Sequence, residues 1–212
     1  MLDSKPIIEA LVAGDAGKLA KLVQAALDGG ASARQILDEG LMAGMDVVGE
    51  RMENEDMFIP EVLMAAKAMS VSLETLSPLL AEGDLAAAGK VVIGTVKGDL
   101  HDIGKNLVAM MFESSGFQVI NLGVDVAPEK FVAEIKDKKP DIVGISALLT
   151  TTMPMMKKTI DTLAANGLRD GIKVLVGGAP VSQKYADEIG ADGYAPDAGS
   201  AVRLAKAILR PE

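Results

Sequence analysis

The chain has 212 residues, 49% of them hydrophobic and 24% charged, which excludes disorder and leaves length for one or two domains with real cores. Thirty acidic against 21 basic side chains give a net charge of −9, a poor balance for wrapping nucleic acid or an anionic membrane. The lack of cysteine removes disulfides, thiolate-bound zinc, iron–sulfur clusters and cysteine nucleophiles together, and fits a reducing compartment.

The N-terminus, MLDSKPIIEA, lacks the apolar core of a secretory signal, and no run reaches 18 apolar residues, so the expected location is the cytoplasm. A short helix is predicted over 7–12. Asp15 reads as the N-cap of a second helix, with Leu19, Leu22, Val23 and Ala26 on one face and Gly29-Gly30 as the stop. A third run starts near Ser32, its apolar side chains at Leu37, Leu41, Met45, Val48 and Met52. The polar stretch Glu53-Asn54-Glu55-Asp56 breaks it. Pro60 suits the first turn of the next helix, whose stripe runs through Val62, Ala66, Met69, Leu73, Leu76 and Leu80. These four predict a helical bundle over 1–85. Twelve methionines suit helical cores or an adaptable surface against a large ligand.

Ala86-Ala87-Ala88-Gly89 reads as a linker, 86–89, and the pattern then alternates over 90–212. Strands are predicted at 90–96, 118–122, 141–146, 173–176 and 193–195. Helices are predicted at 104–113, 128–138, 155–165, 181–189 and 200–209. Repeated β–α units of this size imply a parallel sheet covered on both faces, a flavodoxin-like, doubly wound α/β fold. The expected strand order is 2-1-3-4-5, with ligands at the carboxyl ends of the strands.

One residue type occurs once. His101 lies in Gly98-Asp99-Leu100-His101-Asp102-Ile103-Gly104, the loop between the first strand and its helix. A lone histidine is often only a solvated loop residue, but here the spacing matters. In an extended loop, residues two apart project the same way, so Asp99 can reach His101. A carboxylate that holds the proton of one ring nitrogen leaves the other lone pair free and more basic. One histidine cannot build a zinc or iron site unaided. It can be the only protein ligand of a metal already held by a macrocycle.

The order D-x-H-x-x-G, then Ser146-Ala147-Leu148 after the third strand, then Gly177-Gly178 after the fourth resembles the cobalamin-binding signature. The helical half is similar to the cap domain of methionine synthase, and the whole chain resembles the small corrinoid methyl-carrier proteins of three-component methyltransferase systems. The resemblance implies cobalamin bound base-off and His-on, with His101 as lower axial ligand of cobalt. It implies cofactor contacts from Gly98, Asp99, Leu100, Asp102, Gly104, Ser146, Leu148, Thr150, Gly177, Gly178 and Ala198. Gly94 and Gly144 are also expected along the channel for the displaced nucleotide tail. Asp99 and Thr152 would form a proton relay to the axial histidine, Thr152 standing where methionine synthase has a serine. In the cap, Met52, Ile59 and Val62 would shield the methyl face and Asp38 would lie near the cofactor.

The implied function is a methyl carrier. Co(I) would accept a methyl group at a substrate:corrinoid methyltransferase, and methyl-Co(III) would deliver it to a tetrahydrofolate or thiol at a corrinoid:acceptor methyltransferase. A reductive activase is a further implied partner; nucleic acid and membrane are not. The donor, whether methanol, a methylamine, a betaine or a methoxylated aromatic, belongs to the partner. The main alternative is a cobalamin-dependent sensor without methyl transfer. A cofactor-free receiver-like module and a mutase subunit are the others.

Overall fold

The computed structural model describes residues 2–80 and 88–209, which fall into two compact units, one helical and one built on a sheet. In the helical unit, α1 (Lys5–Val12) and α2 (Ala16–Asp28) are joined by a tight turn, and Asp15 caps α2 by accepting from the Lys18 amide at 2.9 Å. The third helix opens at Ser32, which accepts from the Gln35 amide at 3.1 Å. It runs as α3 (Ala33–Gln35), a π-helical stretch (Ile36–Met42) and α4 (Ala43–Glu53). The π segment is a departure from the regular helix expected, because apolar residues spaced three and four apart do not report the extra residue per turn. Gly40 and Gly44 face α1 so closely that a Cβ would sit 2.9 Å from Ile7 Cγ2 and 2.8 Å from Leu11 Cδ2.

The last helix of this unit, α5 (Ile59–Leu76), starts where Glu61 turns back to accept from the Phe58 amide. It packs along α2. It stops before Leu80, shorter than its apolar stripe suggested. Pro78 lacks the amide a further helical turn needs, and a 3₁₀ turn (Ser77–Leu79) takes its place. Ile7, Leu11, Leu19, Val23, Ile36, Leu41 and Met45 are fully buried. Each contributes about 1.5–3 kcal/mol of burial free energy.

In the second unit, β1 (Gly89–Thr95), β2 (Phe117–Asn121), β3 (Ile142–Ser146), β4 (Lys173–Gly177) and β5 (Gly193–Tyr194) form one parallel sheet in the order β2-β1-β3-β4-β5. The expected fold class and strand order are those observed. Helices α6 (Ile103–Ser114), α7 (Pro128–Lys138), α8 (Pro154–Ala165), α9 (Gln183–Ile189) and α10 (Ala198–Leu209) alternate with the strands. Of the expected linker, Ala86 and Ala87 lie outside the described residues. Gly89 is already strand, paired with Phe117 at φ +132°, a conformation open to glycine and few others.

Side-chain alternation divides the core. Val92, Val143, Ile145, Val174 and Val176 pack with Phe131, Ile135, Met156, Ile160 and Leu163 of α7 and α8. On the opposite face Leu204 of α10 closes over Gly193, where a Cβ would lie 2.7 Å from its Cδ2. The chain passes from β1 to β2 on one side and to β3 on the other, so the loops after β1 and β3 diverge and open a crevice at their carboxyl ends. No described helix is long and apolar enough to cross a membrane.

Gly178, at φ +129°, tests the tightness of the β4 turn, because a Cβ there would lie 1.9 Å from the Ala147 carbonyl oxygen. Gly178→Ala should cost about 1–3 kcal/mol or more by urea titration. Gly171→Ala, with nothing within 4 Å of its Cβ, should stay within about 0.5 kcal/mol of the parent. Equal effects would mean that the turn relaxes freely.

Candidate functional site

The centre of the crevice is a buried carboxylate. Asp99 has no exposed surface, although it sits in the loop between β1 and α6. Gly98, at φ +82°, turns the chain inward just before it. Oδ1 of Asp99 accepts from the His101 amide at 3.1 Å and faces His101 Nδ1 at 2.8 Å. Oδ2 accepts from the Leu148 amide at 2.8 Å, the Leu149 amide at 3.3 Å and Thr152 Oγ1 at 2.7 Å. One carboxylate therefore ties the loop after β1 to the loop after β3.

Burial opposes the charge on Asp99. The hydrogen bonds from Thr152, the Leu148 amide and both His101 groups outweigh it, and the carboxyl is held well below its usual range. In the neutral ring of His101, an ionised Asp99 places the proton on Nδ1 and leaves the lone pair on Nε2. The Thr152 hydroxyl, whose single proton could also serve the Leu149 carbonyl at 2.9 Å, goes to the closer, anionic acceptor. The extra methyl that distinguishes threonine from serine lies beside Gly98, 3.9 Å from where a Cβ would be.

His101 is half exposed and its Nε2 has no hydrogen-bond partner among the described residues. Around it stand Leu100, 72% exposed, Ile103 at 81%, Leu148 at 41% and Leu149 at 42%. Exposed aliphatic side chains on the two loops that Asp99 ties together make the kind of apolar patch that marks a binding surface. Gly104, in the first turn of α6, would have nothing within 4 Å of an added Cβ, so no neighbour in the chain requires glycine there. Among the described residues no three His, Asp or Glu side chains come together to hold a metal ion. A metal at Nε2 must therefore bring its own chelator, and these residues fit a corrin in just that respect.

The other predicted residues are more scattered. Thr95, Ser146 and Gly177 are register partners and point to one face of the sheet edge. The Thr95 hydroxyl donates to the His101 carbonyl at 2.9 Å. Thr150 is exposed and Ala198, at the start of α10, is buried. Asp102 accepts from the Asn106 side chain at 2.9 Å and so opens α6. The space beside the Gly94 and Gly144 Cα atoms is taken by the chain itself. A Cβ on Gly94 would meet Phe131 Cζ at 2.9 Å, and one on Gly144 would meet Ile93 Cγ1 at 3.0 Å. Their missing side chains make room for the chain's own core. On the helical unit, Asp38 pairs with Arg34 one turn away, Met52 is half-buried, Ile59 is exposed and Val62 is fully buried.

Sequence reasoning missed Thr95, Leu149 and Asp125. Asp125 accepts from the Gly98 amide at 2.7 Å and from Lys97 Nζ at 3.2 Å. The signal was there: an aspartate inside the otherwise apolar run Leu122-Gly123-Val124-Asp125-Val126.

Fold and site together define a doubly wound α/β domain with a half-exposed histidine, paired to a buried aspartate, at the carboxyl edge of its sheet. Residues 89–203 match the family model of the B12 binding domain, and residues 4–77 match a second model of the same description. The chain belongs to the B12-binding family, and cobalamin is its cofactor. It is 47% identical to "Corrinoid protein DSY3155" of Desulfitobacterium hafniense over 95% of this chain and 94% of that one. It is 46% identical to "Dimethylamine corrinoid protein 1" of Methanosarcina acetivorans over 82% of this chain and 83% of that one. Among solved structures it matches the methanol:cobalamin methyltransferase complex MtaBC from Methanosarcina barkeri with a TM-score of 0.82 and 32% identity, covering 98% of this chain and 79% of that one.

In the cofactor-free protein, Asp99→Asn turns an NH₂ toward groups that already donate. Stability at pH 7 should fall by about 1–3 kcal/mol. A carboxyl held low in the folded state gives stability that is fully present above its ordinary value of 3.8 and is lost as pH falls toward the folded one. Urea titrations should thus show a constant gap from pH 7 down to about 4 that narrows at lower pH. A gap that widens on acidification would mean that Asp99 is protonated in the folded protein.

Proposed function

We propose that this chain carries methyl groups between two methyltransferases, with His101 as the lower axial ligand of its cobalamin. The observation that carries the ligand assignment is the 2.8 Å pairing of His101 Nδ1 with buried Asp99, an acceptor that holds the proton of the neutral ring on Nδ1 and leaves Nε2 open. Bound cobalamin supplies a cobalt atom that takes up a methyl group from one partner's substrate and releases it to another's acceptor.

The residues of the chain do the rest. Asp99 fixes the ring and makes Nε2 a stronger donor. Thr152 and the Leu148 amide keep that carboxylate ionised, and the Thr152 hydroxyl is the outer member of the proton relay. Leu100, Ile103, Leu148 and Leu149 exclude water from the face that Nε2 addresses. Ser146, Thr150, Gly177, Gly178 and Ala198 are proposed cofactor contacts on the sheet unit. On the helical unit, Met52, Ile59 and Val62 are proposed to shield the methyl-bearing face and Asp38 to approach the cofactor, on the resemblance to methionine synthase.

The partners are a substrate:corrinoid methyltransferase, a corrinoid:acceptor methyltransferase and a reductive activase. The relatives are named for dimethylamine and methanol systems, so those donor classes come first in a reconstitution.

Full-length protein loaded with cobalamin and reduced to Co(II) should show nitrogen superhyperfine splitting by electron paramagnetic resonance. His101→Ala should still bind cobalamin and lose the splitting. Wild type without it, or with a benzimidazole nitrogen in its place, overturns the ligand assignment. Methyl transfer should then be recovered with the matching donor enzyme from a panel that covers methanol and the methylamines. A protein that binds cobalamin but takes no methyl from any member is not a carrier for those donors.

A further inference from the structure

The loop that presents His101 is short and turns on a glycine, so something must hold it in place. Asp99 fixes it from the β3 side. The segment after β2 faces it from the other side. There the β1–β2 ladder breaks and re-forms. The Thr95 amide donates to the Gly123 carbonyl at 3.0 Å, and the Val126 amide donates to the Thr95 carbonyl at 2.9 Å. Between them the chain passes through Gly123 at φ +84° and Asp125 at φ +53°. Aspartate is among the few non-glycine residues that tolerate that region.

Asp125 binds the facing loop in both directions. Its amide donates to the Asp99 carbonyl at 3.0 Å, and its Oδ1 accepts from the Gly98 amide at 2.7 Å. Its Oδ2 accepts from Lys97 Nζ. The far end of the segment is anchored as well. Asn121 Oδ1 accepts from the Gly123 amide at 3.0 Å and from the buried Lys105 Nζ at 2.8 Å. Lys105 belongs to α6, the helix that the His101 loop enters.

We propose that Asp125 is a positioning residue for the axial ligand: its two-way clasp on Gly98 and Asp99 sets the loop geometry that aims His101 Nε2 at cobalt. The hydrogen bonds of Asp125 go to the backbone of Gly98 and Asp99 and to Lys97, not to the imidazole, so it acts on the ring through the loop. The proposal rests on the reading of His101 as that ligand.

Two substitutions separate the side chain from the backbone. Asp125→Gly keeps the left-handed conformation at no steric cost and removes the acceptor for Gly98. Asp125→Asn keeps an oxygen for Gly98 and removes the charge toward Lys97. In cobalamin-loaded full-length protein, Asp125→Gly should weaken His101 ligation of Co(II) about tenfold, the low end for lost outer-shell support. Spectroelectrochemistry should then find the Co(II)/Co(I) potential raised by about 59 mV, the equivalent of that factor for one electron. Asp125→Asn should stay within about threefold of wild type, and that rescue is what a general loss of stability would not produce. In the cofactor-free protein, hydrogen exchange at the Gly98 amide should quicken in Asp125→Gly and not in Asp125→Asn.

A potential and a nitrogen splitting in Asp125→Gly indistinguishable from wild type overturn the proposal. So does an equal shift in both variants, because the charge and not the Gly98 hydrogen bond would then be responsible. If wild type itself lacks nitrogen splitting, the ligand assignment fails instead, and exchange at Gly98 decides the clasp alone.

Discussion

The site depends on the burial of one charge. Asp99 loses all contact with water in a loop, where backbone and side chains are normally solvated. An unpaired carboxylate in that position would be costly enough to take up a proton or open the loop. Donors from His101, Leu148, Leu149 and Thr152 prevent both. These groups come from two segments separated by two helices and two strands, α6, β2, α7 and β3. The charge therefore specifies tertiary structure and the imidazole tautomer with the same set of hydrogen bonds. Few alternatives satisfy an anion so fully, which is why a ring nitrogen can be left bare beside it without the loop rearranging to cover it.

How the scaffold reaches this arrangement follows from the sheet. Strand order 2-1-3-4-5 makes β1 and β3 neighbours whose following loops part company. The register Thr95–Ser146–Gly177 brings the strand ends level. That level edge lets a two-residue step, Asp99 to His101, cross from the protein interior to the surface. The helical unit is built on a different principle, close approach at Gly40 and Gly44, where α1 fills the space that side chains would take.

Much of this was legible in the sequence because it rests on local chemistry. Strands and helices of the second unit follow apolar alternation bounded by glycine and proline. Asp99 and His101 are two apart, a spacing that lets the carboxylate reach a ring nitrogen, and the pair is seen at 2.8 Å. The direct reach of Thr152 was expected from resemblance and is seen at 2.7 Å. What could not be read depends on distant segments meeting. The close approach of Phe131 to Gly94 and of Ile93 to Gly144 gives no sign along the chain. Asp125 stands far from Gly98 in sequence and next to it in the fold. The π-helical stretch shares its apolar spacing with an ordinary helix, and the end of α5 is set by Pro78 against its own apolar stripe.

Four aliphatic side chains beside a polar ring, 41–81% exposed, have a colloidal consequence. A protein newly made and still without its cofactor displays a sticky spot that every other copy also displays. Copies stay apart because each carries a net charge of −9. Salt screens that repulsion over about 8 Å at physiological ionic strength while leaving the apolar attraction in place. The unloaded protein is accordingly least soluble in high salt or near its isoelectric point. Cobalamin seated over His101, as proposed, would then do more than equip the carrier for chemistry; it would cover the patch and remove that point of adhesion.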